Sequence, residues 1–242
     1  MAGEAKKAAA KKAAKKGAGK KGAGKRAKRA PPRPKGWQKE EVIAAAAQCF
    51  MERGFHVTTV DDVARRLGCT KGRIYHHYAS KTDLFFDVHR EGMRRLFDAI
   101  APAVSAAGRA RTGLEGLVML LLAHAEAMLE HHVYESVVAQ GVQVHRFDAV
   151  TPDQRGTMRA LIASRDDFED LFKHQIRAAI ADGSMRAMDV SVTSKILLGG
   201  LQWSIYWYRP RAGETAEDRA RLAHRMVEPL VGGLIGDRPA GT

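Results

Sequence analysis

Cysteine is nearly missing from this sequence. Only Cys49 and Cys69 occur in 242 residues, too few for a disulfide framework, which fits a reducing compartment such as the cytoplasm. Long apolar runs are missing too. The longest, residues 117–123, stops at His124, well short of the roughly 18 residues a membrane span needs. No apolar stretch follows the basic N-terminus, so it does not read as a secretory signal. Catalytic signatures are also wanting. There is no nucleophile elbow, no phosphate-cradling glycine loop and no paired-carboxylate motif, so no enzyme and no cofactor are expected. His124, His131, His132, His145 and His174 are scattered, and His131 and Glu135 stand one helical turn apart. Without an HExxH or paired-cysteine spacing, no metal site is expected.

Acidic residues are almost absent from one region. Residues 1–36 hold 14 Lys and Arg against Glu4 alone, while the remainder holds 26 of each sign. The whole net charge of +13 therefore lies in this segment. Its composition is Lys, Ala and Gly, with Pro31-Pro32-Arg33-Pro34 near its end. No large apolar residue follows Met1, so burial cannot offset the entropy of ordering, and disorder is expected. Such a tether binds phosphate without reading sequence, and binds more weakly as salt rises. Its composition resembles the tails of histone H1-like and other bacterial DNA-associated proteins. Binding to RNA or anionic lipid, or simple solvation, remain the rival readings.

What is present is concentrated in residues 58–85. Thr59 caps a first short helix and Asp62 closes the reciprocal box. Val60, Val63, Ala64 and Leu67 share one face, and Gly68 ends the helix. Thr70 caps a second helix over residues 71–78, with Ile74 and Tyr78 inward. Ser80 opens a third, with Asp83 as its partner. Helix, glycine turn and helix, with small Ala64 at the crossing, form a helix-turn-helix pattern whose second helix enters the DNA major groove. Lys71, Arg73, Tyr75 and His76 then face bases or backbone, and Gly72 permits close approach. Residues 37–53 form a bracing helix with an apolar stripe of Val42, Ile43, Ala46, Ala47 and Phe50, ending at Gly54. Cys69 lies in the turn as a lone thiol with no activating neighbour, which reads as inert.

These residues resemble the TetR family of bacterial transcriptional regulators. The resemblance rests on Thr58-Thr59, Val63-Ala64, Leu67-Gly68, the run from Lys71 through Tyr78, and Ser80-Lys81, and it spans about fifty residues. It implies an all-α fold with an N-terminal three-helix DNA-binding domain and a C-terminal helical ligand-binding and dimerisation domain. It also implies that the helix from Lys81 links the ligand site to the DNA reader, with Lys81 on phosphate. The expected division is a tail at 1–36, a reader at 37–85 and a sensor at 86–242. Thr58, Thr59 and Thr70 join the expected DNA contacts.

Nothing beyond residue 109 reads as strand. Helices are expected over residues 114–131, 134–144 and 151–182, the last opened by Thr151-Pro152 with Gln154 completing its box. Asp189 caps a helix running to Pro210, and Thr215 with Asp218 starts the last. The apolar faces of these final two helices suit a homodimer interface, because two readers must span half-sites of a palindromic operator. The resemblance implies the same dimer. The segment 203–210, with Trp203, Trp207 and Arg209, resembles a TetR subgroup that senses acyl-CoA thioesters, although Gly199-Gly200 departs from it. Core or interface packing of the two tryptophans is the competing interpretation. Phe97, Met119, Met128, Phe168 and Phe172 are the expected lining of an apolar pocket, with Arg177 or Arg209 meeting phosphates. The reading is a ligand-released repressor; the alternative is a nucleoid-type protein that compacts DNA through its tail.

Overall fold

Local capping chemistry sets most of the helix starts. In the computed structural model residues 39–147 and 151–232 are described, and the side chains at 142–147 fall outside that set. The basic tail expectation therefore lies outside the described residues. Helix α1 (Lys39–Val57) is followed by α2 (Val60–Arg66), where Thr59 Oγ1 accepts from Asp62 N at 3.2 Å and Asp62 Oδ2 accepts from Thr59 N at 2.9 Å. Helix α3 (Lys71–Tyr75) comes next, and α4 (Lys81–Ala107) opens on Ser80, which accepts from Asp83 N. Helices α5 (Gly113–Glu130) and α6 (His132–Phe147) follow. Helix α7 (Pro152–Ala181) begins with the Thr151–Gln154 box and proline at its first position. Helix α8 (Val190–Gln202) is capped by Asp189, whose Oδ1 accepts from Val192 N at 2.7 Å. Helices α9 (Ser204–Trp207) and α10 (Ala216–Gly232) complete the described chain, which contains no β-strand among its described residues.

Four boundaries differ from the sequence expectation. Helix α1 does not stop at Gly54 but kinks there, at φ 76° and ψ 162°, a conformation that costs glycine little. Helix α3 is shorter than residues 71–78, because His77 N turns back to Ile74 O at 2.9 Å and tightens the exit. Thr70 makes no side-chain cap bond. Helix α4 runs through Pro102, whose missing N–H leaves the exposed Asp98 turn to water. The expected helix to Pro210 breaks at Trp203, where Tyr206 N bonds back to Trp203 O.

Two apolar clusters hold the molecule. One joins α1, α2, α3 and the first half of α4, including Phe50, Phe55, Ile74 and Phe85, and takes in Val137 of α6 and Met158 and Leu161 of α7. The other joins the second half of α4 to α5, α7, α8 and α10 around Leu117, Leu121, Phe172 and Ile176. Helices α4 and α6 cross closely. A methyl group on Gly92 would come within 2.6 Å of Val138, and one on Gly141 within 2.6 Å of His89. The first cluster therefore shares helices with the second, and both belong to one compact unit.

Candidate functional site

The exposed edge of α3 follows from what its other edge buries. Ile74 and Tyr78 are sunk in the first cluster, at 1% and 5% exposure, and fix the rotation of the helix. Lys71, Gly72, Arg73, Tyr75, His76 and His77 consequently face solvent, as does Thr70 just before them. Lys71 Nζ lies 3.6 Å from Asp61, an exposed pair of little strength that phosphate can displace. The imidazoles of His76 and His77 meet edge to face at 5.3 Å. Gly68, at φ 64°, makes the turn that sets α3 against α2. The result is a cationic, hydrogen-bonding rod on the surface.

Two expected phosphate ligands have other tasks. Thr58 is fully buried, and its hydroxyl donates to Gly54 O at 2.7 Å and Cys49 O at 3.0 Å. Its side chain cannot reach a duplex, because the kink at Gly54 turns it inward. Lys81 donates to Phe55 O at 2.7 Å and His56 O at 3.2 Å, with its ammonium 4.4 Å from the Phe55 ring centre. It ties the start of α4 to the last carbonyls of α1, where a cation is favoured. Thr59 is exposed, with its hydroxyl donating to Asp62. That bond, with the Arg53 guanidinium at 2.7 Å, holds the Asp62 carboxyl below the usual range.

A cavity of about 290 Å³ lies among α4, α5, α6, α7 and α8. Met93, Leu96, Met128, Val138, Ile162, Phe168 and Leu198 supply its apolar wall. His124 and Glu135 supply buried polar groups, and Arg165, Asp166, Glu169, Lys195 and Gln202 the rest. Burial pushes the Glu135 carboxyl well above the usual range, against the opposing charge of Arg165. Burial also lowers His124 to about 4, so that its imidazole is neutral near pH 7. Glu169 Oε1 accepts from Ser194 at 2.6 Å and from Lys195 at 2.9 Å, joining α7 to α8 at the cavity.

Of the residues expected around the ligand, Met128 and Phe168 line this cavity. Phe172 stands behind it, its ring 5.7 Å from that of His124. Phe97 meets Phe168 edge to face and lines a separate groove between α4 and α7. Met119 and Arg177 lie away from the lining, and Arg177 is exposed. Trp203, Trp207 and Arg209 are on the surface; Trp203, at the end of α8, follows the exposed Ile196, Gly199 and Gly200 of that helix. Val192, Ile196, Tyr206 and the two tryptophans are exposed apolar side chains, with Ile196 62% and Trp203 63% exposed and the rings of Trp203 and Tyr206 4.6 Å apart. Gly199, the position of the departure from the acyl-CoA subgroup, is part of the cavity wall. His131 and Glu135 form no metal site; no group of His, Cys, Asp or Glu that could hold an ion occurs among the described residues.

Sequence reasoning missed Glu135, Arg165 and two glutamines. Gln140 of α6 accepts from Phe55 N at 2.9 Å and donates to Phe50 O at 3.0 Å, so it clips the kinked end of α1. Gln154, foreseen only as a cap partner, also donates to Ser80 Oγ at 3.2 Å and Asp83 Oδ1 at 3.3 Å, at the start of α4. For Glu135 a signal existed: it precedes Val138 by three positions, on the same helical face, which flags a carboxyl on an apolar side.

Residues 42–88 match the family described as bacterial regulatory proteins, tetR family, and residues 110–234 match the tetracyclin repressor-like C-terminal domain. The chain is 28% identical to the HTH-type transcriptional repressor KstR2 of Rhodococcus jostii over 192 residues, which cover 77% of this chain and 87% of that protein. Its fold is similar to the solved ketosteroid transcriptional regulator KstR2 of Mycobacterium tuberculosis, with a TM-score of 0.68, 24% identity and coverage of 85% and 100%. It is also similar to AibR solved with isovaleryl coenzyme A and operator DNA, with a TM-score of 0.59, 20% identity and coverage of 77% and 96%.

Proposed function

Because the chain belongs to the tetR family of bacterial regulatory proteins, which are DNA-binding regulators of transcription and not enzymes, we propose that it is a repressor released from a palindromic operator by a small, largely apolar effector. The observation that carries this is the outward edge of α3, held in place by buried Ile74 and Tyr78. Residues 37–85 are the reader and residues 86–242 the sensor and dimerisation domain. Lys71, Arg73, Tyr75 and His76 meet base edges or nearby backbone, Gly72 lets the helix approach, and Thr59, Thr70 and the basic tail lie along phosphates.

In this proposal two subunits pair through α8 and α10, and the partner covers Ile196, Trp203 and Trp207. That face is the apolar surface a dimer of readers requires. The effector occupies the cavity walled by Met128 and Phe168. An acyl-CoA thioester fits this reading only through its acyl end, with the charged coenzyme outside the cavity; AibR, of similar fold, is solved with isovaleryl coenzyme A. The effector favours an arrangement of α6 and α7 that Gln140 and Gln154 pass to α1 and α4, so the two α3 helices lose the half-site spacing. It shifts the balance only by its difference in affinity for the two arrangements. The protein acts in the cytoplasm, at the nucleoid.

Arg73→Ala tests the reader. Operator affinity is expected to fall roughly tenfold or more, while affinity for a scrambled duplex of equal length changes by less than about threefold at the same salt. Equal losses on both duplexes would make Arg73 a phosphate contact and remove it from base reading.

A further inference from the structure

The cavity is not uniformly apolar, and two of its buried polar atoms are left without partners. Glu135 is 1% exposed and its Oε1 has no hydrogen bond; His124 is 4% exposed and its Nδ1 has none. They come from different helices, α6 and α5, and line the same space. Buried polar atoms in native proteins are nearly always paired, so two orphans on side chains that line one cavity need an explanation.

From this geometry we infer that the effector is a small apolar molecule carrying a neutral oxygen function, a hydroxyl or a ketone, which hydrogen-bonds to Glu135 and His124 at the polar end of the cavity. This rests on the cavity being the effector site. A neutral carboxyl offers one O–H donor and a carbonyl acceptor, and a neutral imidazole offers one donor and one acceptor. A hydroxyl satisfies both groups; a ketone accepts from either donor. Charged ligands suit the site less. A carboxylate would need a free cation, yet Arg165 already faces Asp166, Glu169 and Glu135, and Lys195 is bonded to Glu169. An ammonium group would meet Glu135 favourably, but only beside the guanidinium of Arg165. Along the side formed by Met93, Leu96, Met128 and Phe168 the cavity offers apolar contact, so the part of the ligand that lies there is hydrocarbon.

A matched probe series tests the assignment on the full-length protein. Dissociation constants are measured calorimetrically at neutral pH for bicyclohexyl, 4-cyclohexylcyclohexanol, 4-cyclohexylcyclohexanone, the 4-carboxylate and the 4-amine. The alcohol or the ketone should bind at least roughly tenfold more tightly than the hydrocarbon, the carboxylate and the amine. In Glu135→Leu that preference over the hydrocarbon should shrink to within about threefold, and Glu135→Gln should keep most of it. Equal affinities in the wild-type protein, absence of binding by either oxygenated probe, or tighter binding of the carboxylate or the amine each overturn the inference without any variant. A preference that survives Glu135→Leu overturns the role of Glu135. Operator affinity is measured on the same samples. If the alcohol binds as expected and operator affinity stays constant, the chemistry of the cavity stands and the regulatory reading fails.

Discussion

At Thr58 a single hydroxyl proton is shared between two carbonyls, Cys49 O and Gly54 O, inside the kinked end of α1. Thr58→Val keeps the shape and removes the donor. The protein should lose about 1 kcal/mol in chemical denaturation, since a buried hydroxyl hydrogen bond is lost while Gly54 O keeps its bond from Thr58 N at 3.2 Å. Operator affinity below the transition should stay the same; a roughly tenfold loss there would restore Thr58 as a DNA contact. The neighbouring Thr59 was legible in sequence because its box spans only three residues, all in one turn. Thr58 was not, because its direction depends on the φ of Gly54 and on where Cys49 sits in space. Glu135 illustrates the same limit. Its burial arises from α4, α5 and α7 closing around it, and no local pattern states which helices will meet.

Helices were mostly legible where a cap, a proline or a turn glycine punctuates the chain, as at Thr151-Pro152, Ser80, Asp189 and Gly68. Ends without punctuation were misplaced. The segment after Gly199-Gly200 looked continuous but breaks at Trp203. The contact between α6 and α1 had no sequence signature at all, since residues 55 and 140 meet only in the folded chain. Helix α6 carries Glu135 and Val138 at the cavity and Gln140 at the reader, so one short rigid element touches both. Gln140→Ala should cost about 2 kcal/mol and speed amide exchange at Phe55 by roughly tenfold or more. It should also shrink the ratio of operator affinities measured without and with effector. Unchanged exchange together with an unchanged ratio would contradict a transmitting role for this residue.

In the molecule as a whole a surface rod is joined to a cavity through shared helices, and the proposed dimer doubles that unit across α8 and α10. The first cluster already includes Val137, Met158 and Leu161, so the reader does not pack independently of the sensor helices. Moving α6 or α7 therefore has to move the ground on which α1 and α4 stand. In the proposed function the basic tail adds affinity without sequence preference, and a protein that used the tail alone would coat DNA. The most direct measurement separates these behaviours: selection of tight-binding duplexes from a random pool by the full-length protein, followed by footprinting on the winning sequence. The expected result is a discrete protected palindrome. Its two half-sites should lie on one face of the duplex, about 34–36 Å apart or a multiple of that spacing. Protection that spreads with DNA length, with no selected sequence and no fixed boundary, would contradict the account and leave a protein that only covers DNA.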